Sequence, residues 1–209
     1  MNQEKTINIE KRIEEIKTSV QNIQGWLSEN AGITLYDLVL QYSPNGTIVE
    51  LGAWKGLSTV WLANGVKDRG NARLYSVDTW EGTTNETVHA EMLKDYDKDQ
   101  LYKEFLTNLQ NAGVSEYVEP IRMTTLQASR IWPVDSPIGL LMIDADHSYE
   151  GVKKDFEFWS PLVADGGLIV FDDVPTWPGP TKLITQLPHW YEQVGTSQGQ
   201  WIVCKKPQG

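Results

Sequence analysis

The strongest chemical signal in the chain is a pair of apolar runs that each end in acids. Leu141-Met142-Ile143 leads into Asp144-Ala145-Asp146-His147, and Val170-Phe171 leads into Asp172-Asp173. If both runs are strands of one sheet, four carboxylates converge on one edge. Like charges that close are unfavourable unless a cation or a proton is shared among them. A hard divalent ion with carboxylate and water ligands satisfies them, and Mg2+ is the default choice. An acid after a strand can also cap the next helix, but the clustering favours a metal. Asp144-Ala145-Asp146 also fits a DxD metal motif of the kind that holds nucleotide sugars, so a metal-dependent glycosyltransferase stands as an alternative.

Other strand-like runs end in groups that suit a nucleoside. Glu50-Leu51-Gly52-Ala53-Trp54-Lys55-Gly56-Leu57-Ser58 follows the first run. Its glycines let backbone come close to a ligand. It is not GxGxxG, which argues against a dinucleotide pyrophosphate and hence an NAD-dependent oxidoreductase. Glu50 repels phosphate and suits an amine. Ser76-Val77-Asp78-Thr79-Trp80 follows the second run, and an acid at this point can accept the hydroxyls of a ribose. Met123-Thr124-Thr125 follows the third and suits an adenine. His147, with an ordinary pKa of about 6.5, can take a proton at neutral pH, although a helix cap or a supporting contact to a metal site would equally explain it. His89 and His189 have no motif around them and read as ordinary histidines.

Placing these residues requires an alternation of strands and helices. Thr47–Leu51, Arg73–Val77, Tyr117–Ile121, Gly139–Ile143 and Gly167–Phe171 read as strands. Helices are expected over Leu57–Val66, Gln100–Ala112 and Val152–Leu162, with a short one near Ala128. Such interleaving implies right-handed crossovers and a mostly parallel sheet with helices on both faces. His189–Val194 and Gln200–Cys204 flank a turn at Gly195-Thr196-Ser197-Gln198-Gly199 and predict a C-terminal antiparallel hairpin. Upstream, Ile9, Ile13, Ile16, Val20, Ile23 and Leu27 recur at steps of four and three, predicting an amphipathic helix over residues 4–28. This N-terminal unit (1–29) packs on its own chain or in a homodimer. A second helix is expected at Thr34–Gln41, followed by a break at Ser43-Pro44-Asn45-Gly46.

Composition excludes several classes. The 209 residues carry 18 Lys and Arg against 28 Asp and Glu, a formal charge of -10. That field repels nucleic acid and anionic membrane. One cysteine, Cys204, rules out an intrachain disulfide and argues against a cysteine-based metal site. No apolar run is long enough for a membrane span, and the N-terminus has no apolar core of a signal peptide. The expectation is a cytoplasmic protein. The acidic connection over residues 80–99, with Glu81, Glu86, Glu91, Asp95, Asp97 and Asp99, reads as a lid. Trp177, before Pro178-Gly179-Pro180, could wall the site.

Taken together, Glu50–Ser58, Asp78, Asp144–Glu150 and Asp172-Asp173 resemble the class I S-adenosylmethionine-dependent methyltransferases, in the metal-dependent O-methyltransferase branch. Leu51–Ser58 is similar to catechol and caffeoyl-CoA O-methyltransferases. Ile143–Val152 is more similar to the macrocin O-methyltransferase and cephalosporin-hydroxylase-like group. The resemblance covers residues 30 to 204, with 30–209 as the methyltransferase domain. It implies a Rossmann-like, seven-stranded, mostly parallel sheet with the C-terminal antiparallel hairpin.

The resemblance also implies roles. Glu50, Gly52, Ala53, Trp54, Gly56 and Ser58 would hold the methionine part of S-adenosyl-L-methionine. Asp78, Thr79 and Trp80 would lie at its ribose, and Thr124 and Thr125 at its adenine. Asp144, Asp172 and Asp173 would bind Mg2+, with Asp144 also beside the cofactor and catalytic. His147 stands where catechol-type enzymes keep a lysine base, Asp173 where they keep an asparagine, and Met123 where a glycine is common. The implied reaction moves a methyl group to a hydroxyl oxygen of a small molecule: a sugar, a catechol-like ring or a natural-product diol. A non-catalytic cofactor-binding paralogue is the remaining alternative.

Overall fold

The computed structural model describes residues 8–42, 46–82, 87–133 and 135–207. Helices α1 (Ile9–Val20) and α2 (Glu29–Asp37) lead through a π turn at Leu38–Tyr42 into β1 (Thr47–Leu51). The alternation continues with α3 (Leu57–Arg69), β2 (Arg73–Asp78), α4 (Thr87–Leu93), α5 (Gln100–Asn111), β3 (Val118–Arg122) and α6 (Thr125–Ile131). It closes with β4 (Ile138–Ile143), α7 (Tyr149–Trp159), β5 (Val163–Phe171), α8 (Pro178–Ile184), β6 (Tyr191–Ser197) and β7 (Gln200–Lys205). The seven strands lie in the order β3-β2-β1-β4-β5-β7-β6. β1 to β5 pair in parallel, while β7 is antiparallel to both β5 and β6. This is the Rossmann-like architecture expected from the sequence, and the strand order reverses between β1 and β4, where such sheets bind ligands.

Strand alternation builds two cores. Successive side chains point to opposite faces, so Ile48, Leu140, Met142, Leu168 and Val170 pack beneath α1, α2, α3 and α5. Val49, Leu51, Leu141, Ile143, Ile169 and Phe171 pack beneath α6, α7 and α8. Both faces of β4 are buried, which is why it reads as an unbroken apolar run.

Several elements depart from expectation. The N-terminal helix stops at Val20, not at residue 28, although Ile23 and Leu27 still pack on the core. The chain turns after Val20, and Ser28 caps α2 by accepting from the Ala31 amide at 3.2 Å. Residues 4–7 and the break at Ser43-Pro44-Asn45 lie outside the described residues. The hairpin turn is two residues, Gln198-Gly199, because Ser197 pairs with Gln200 and Thr196 with Trp201. Gly199, at φ 82°, supplies the left-handed position that so tight a turn requires. α4 and α8 have no counterpart among the expected helices.

α1 is held on its own chain. Ile16 is buried, and Arg12 bonds Asp68 (2.6 Å) and Asn64 (2.5 Å) on α3. Tyr36 on α2 donates to the same Asp68 at 3.0 Å. Removing one partner of a largely buried pair leaves a charge uncompensated. Arg12→Ala is therefore expected to lower urea-unfolding stability by about 3 kcal/mol. Lys11→Ala, whose ion pair is exposed, should change it by less than about 0.5 kcal/mol. Equal effects would mean that α1 is not docked in this way.

Candidate functional site

A cavity of about 810 Å³ opens at the carboxyl ends of β1 to β5. Its floor is the β1–α3 turn. Gly52 has φ 86°, and a Cβ there would meet the Asp144 carbonyl oxygen at 2.1 Å, so only glycine lets the exits of β1 and β4 touch. The sheet ladder also continues past the strands: Gly52 donates to Val77, Asp144 to Leu51 and Asp172 to Ile143.

Asp78 clamps this floor. One carboxylate oxygen accepts from the Ala53 and Trp54 amides at 2.8 and 3.0 Å, and the other from the Trp80 amide at 2.7 Å. Trp54 and Trp80 sit at φ 45° and 53°, a region that bulky residues avoid. A carboxylate has about four acceptor positions, and three are taken by backbone. Asp78 can therefore accept one further hydroxyl, where the sequence reading gave it a pair.

Three of the expected binding residues do not line the cavity. Glu50 is fully buried and accepts hydroxyl bonds from Ser58 (2.5 Å), Thr59 (2.7 Å) and Ser76 (2.7 Å). It braces the start of α3 from below. Gly56, at φ 90°, opens α3 with its Cα against Phe105. Trp80 is buried against Tyr102 and Phe105, and its indole donates to the Trp54 carbonyl at 3.0 Å. Gly52, Ala53, Trp54, Ser58, Asp78, Thr79, Thr124, Thr125, Asp144, His147, Asp172 and Asp173 do line it, as does Met123.

The acid cluster lies at the β4–β5 end. His147 Nε2 is 2.8 Å from Asp173 and 3.6 Å from Asp144. Burial opposes its charge, but the hydrogen bonds and charges of Asp144 and Asp173 outweigh that and push its pKa up to about 11. The imidazolium is thus a counter-ion to the acids. Burial, with the charges of Asp144 and Asp173, holds the Asp172 carboxyl well above the usual range. One ligand atom each from Asp144, His147 and Asp173 lies within 4.8 Å of the others. Two carboxylate oxygens and an imidazole nitrogen suit a divalent metal. The expected set was Asp144, Asp172 and Asp173. The structure gathers His147 in the place of Asp172, which stands just behind. Asp173, whose carboxylate meets His147, has φ 61°. Asp146 folds back instead, accepting from the Ser148 amide at 2.8 Å at the start of α7.

Aromatic rings wall the cavity. A Cβ on Gly179 would meet the His147 carbonyl oxygen at 2.2 Å, so α8 starts directly on the His147 loop. Trp177 consequently stacks on the His147 ring at 4.8 Å. Opposite them, His89 from α4 stacks on Trp54 at 4.6 Å, with Trp26 5.2 Å from His89. Trp26 is 61% exposed. His89, Val88, Gly25 to Ser28 and Gln198-Gly199 all line the cavity, and no sequence motif marked them. Of the acidic connection, α4 forms one wall and buries no side chain; Glu86 lies outside the described residues.

Residues 49–174 match a family described as a methyltransferase domain. The chain belongs to that methyltransferase family. The match spans β1 to the acids after β5, so the cavity's core is the family's domain and the nucleotide-sugar and NAD readings fall away. The fold is shared with an O-methyltransferase from Bacillus cereus in complex with SAH, at 22% identity and TM-score 0.58, covering 93% of this chain and 91% of that one. It is shared also with TomG from Streptomyces achromogenes, an O-methyltransferase involved in tomaymycin synthesis, in complex with SAM, at 18% identity and TM-score 0.61, covering 97% and 92%. The protein y4gI of Sinorhizobium fredii is 29% identical over 127 residues, 60% of this chain and 13% of that one. The methyltransferase chain thus spans about an eighth of the length of that relative. Among the described residues no helix is long and apolar enough to cross a membrane.

The buried Glu50 gives the fold a pH signature. Burial raises its pKa from 4.5 to about 7, against the lowering effect of its three hydroxyl donors. A raised acid stabilises the fold fully below its unfolded pKa, and that contribution is lost as pH rises through the folded value. Relative to Glu50→Gln, the wild type should be most stable below about pH 4.5 and lose ground up to about pH 7. Denaturant titrations across this range read the difference, and a flat difference would contradict the burial.

Proposed function

We propose that this methyltransferase moves a methyl group from S-adenosylmethionine to a hydroxyl oxygen of a small molecule that carries a vicinal diol, in a reaction assisted by Mg2+. The observation that carries the reading is the position of the acid cluster, in one cavity with Asp78 and Met123 to Thr125, groups that suit a nucleoside. When bound, S-adenosylmethionine supplies an electrophilic methyl on a sulfonium, and Mg2+ supplies positive charge that favours an ionised acceptor oxygen.

The chain's own groups divide the remaining work. Backbone of the Gly52-Ala53-Trp54 turn and the Ser58 side chain meet the methionine end. Asp78 offers its one open acceptor position to the ribose, and Met123 to Thr125 wall the base. Asp144 and Asp173, whose oxygens lie close together, would hold the metal, and Asp172 borders the cavity beside them. His147 takes the acceptor proton only as neutral imidazole. Beside the carboxylates of Asp144 and Asp173 it stays protonated, its pKa pushed up to about 11. The base role therefore depends on another cation taking up the charge of Asp144 and Asp173. Trp177 and the Trp26–His89–Trp54 group wall the acceptor and exclude water.

The test is methyl transfer from labelled S-adenosylmethionine to a panel of sugar, catechol and other vicinal diols. Exhaustive chelation should reduce transfer at least about tenfold, and added Mg2+ should restore it. Full activity in chelator would contradict the metal role, and no transfer to any hydroxyl would contradict the reaction class.

A further inference from the structure

The cavity offers an acceptor no cationic side chain of its own. Among the described residues that line it there is no lysine and no arginine, whereas Asp78, Asp144, Asp146, Asp172 and Asp173 all do so. His147 is already engaged, 2.8 Å from Asp173 and 3.6 Å from Asp144. The basic residues that come close in sequence are turned to other partners. Lys55 follows Trp54, yet its ammonium donates to Gln24 (2.9 Å) and Tyr96 (2.5 Å) and pairs with Glu104 at 2.9 Å. Arg122 precedes Met123, yet it pairs with Asp99 and donates to the Thr79 carbonyl at 3.4 Å. Lys182 on α8 stands 3.8 Å over the Tyr149 ring.

A charge taken out of water is costly unless it meets an opposite charge. A carboxylate or phosphate on the acceptor would find carboxylates and rings in this cavity where it needs a partner. A divalent ion held by Asp144 and Asp173 would have its charge taken up by those acids. The formal charge of -10 on the whole chain also repels an anion before it arrives. An ammonium meets the opposite situation, because carboxylates pair with it and aromatic rings attract it. The remaining lining includes Trp26, Leu27, Val88 and Trp177 and suits an uncharged body. The methyl donor escapes the penalty, since its carboxylate arrives together with an ammonium and a sulfonium.

We infer that the acceptor carries no anionic group: the site takes neutral and amine-bearing diols and rejects carboxylates, phosphates and acidic thioesters. The inference rests on the acceptor reading above. Methyl transfer to matched acceptors tests it, with one side group supplied as carboxylate, primary amide or primary amine. The catechol series is dihydroxyphenylacetate, dihydroxyphenylacetamide and dihydroxyphenylethylamine; the pyranose series is glucuronate, glucuronamide and the corresponding aminodeoxyglucose. In the skeleton that is methylated, kcat/KM for the amide should exceed that for the carboxylate at least about tenfold, and the amine should match or exceed the amide. Gln198 is an exposed residue of the hairpin turn that lines the cavity, and the Val174 amide, just after the acids, donates to its neighbour Gly199 at 2.9 Å. Gln198→Lys should raise kcat/KM for the carboxylate about fivefold or more and leave the amide within about twofold, a selective gain that a structural disturbance does not produce. Gln198→Glu should give no such gain. A wild type that uses carboxylate and amide equally overturns the inference while leaving the reaction class standing. So does an amine rejected as strongly as the carboxylate, or a Gln198→Lys variant that leaves the carboxylate unchanged or raises both acceptors in parallel. Transfer to no member of either series overturns the acceptor reading and the inference with it.

Discussion

The Asp78 carboxylate is the interaction on which the site depends. By accepting from the amides of Ala53, Trp54 and Trp80, it ties the exit of β2 to the exit of β1. Those bonds hold two tryptophans at positive φ, a strain that costs about 1–3 kcal/mol at each residue. The Trp54 backbone in that geometry presents its carbonyl to the Trp80 indole, which closes the floor from below. Glu50, one layer deeper, fixes the start of α3 through Ser58 and Thr59. The cavity floor is therefore tied together by the chain's own hydrogen bonds.

At the other end of the cavity the governing constraint is charge. Asp144, Asp172 and Asp173 crowd one place, and the structure answers with a charged His147 and a raised Asp172. The carboxylates of Asp144 and Asp173 drive the first, whereas burial is the larger cause of the second and their charge adds to it. A cation bound there would relax both, returning His147 toward the range in which it can accept a proton. His147 and the acids are in this sense one electrostatic unit, and Trp177 stacks on the His147 ring at its side.

The sheet and its acids were legible in the sequence for a physical reason. Parallel strands buried on both faces read as continuous apolar runs, and a polar group at the carboxyl end of each marks the ligand edge. β1 matches its expected bounds, and β4 differs by one residue. What the sequence hid depends on tertiary packing. His89 reaches the cavity by stacking on Trp54, from a helix of seven residues, none of them fully buried. α8 begins at Pro178, and the Pro-Gly-Pro run reads as a breaker although proline is well suited to a first helical turn. The heptad pattern runs on to Leu27 because Ile23 and Leu27 still meet the core after the helix has ended. Glu50, Gly56 and Trp80 are motif positions that lie outside the cavity lining and shape the turn that floors it, a distinction that spacing alone does not carry.

The central claim is that one cavity, floored by Asp78 and ended by the acid cluster, holds the methyl donor with its base toward β3. A crystal structure of the chain grown with S-adenosylhomocysteine tests it most directly. The account predicts the base against Met123 to Thr125, one ribose hydroxyl on Asp78 and the sulfur near Asp144. An empty cavity at saturating ligand, or the ligand bound with its base at the acid cluster, would contradict it.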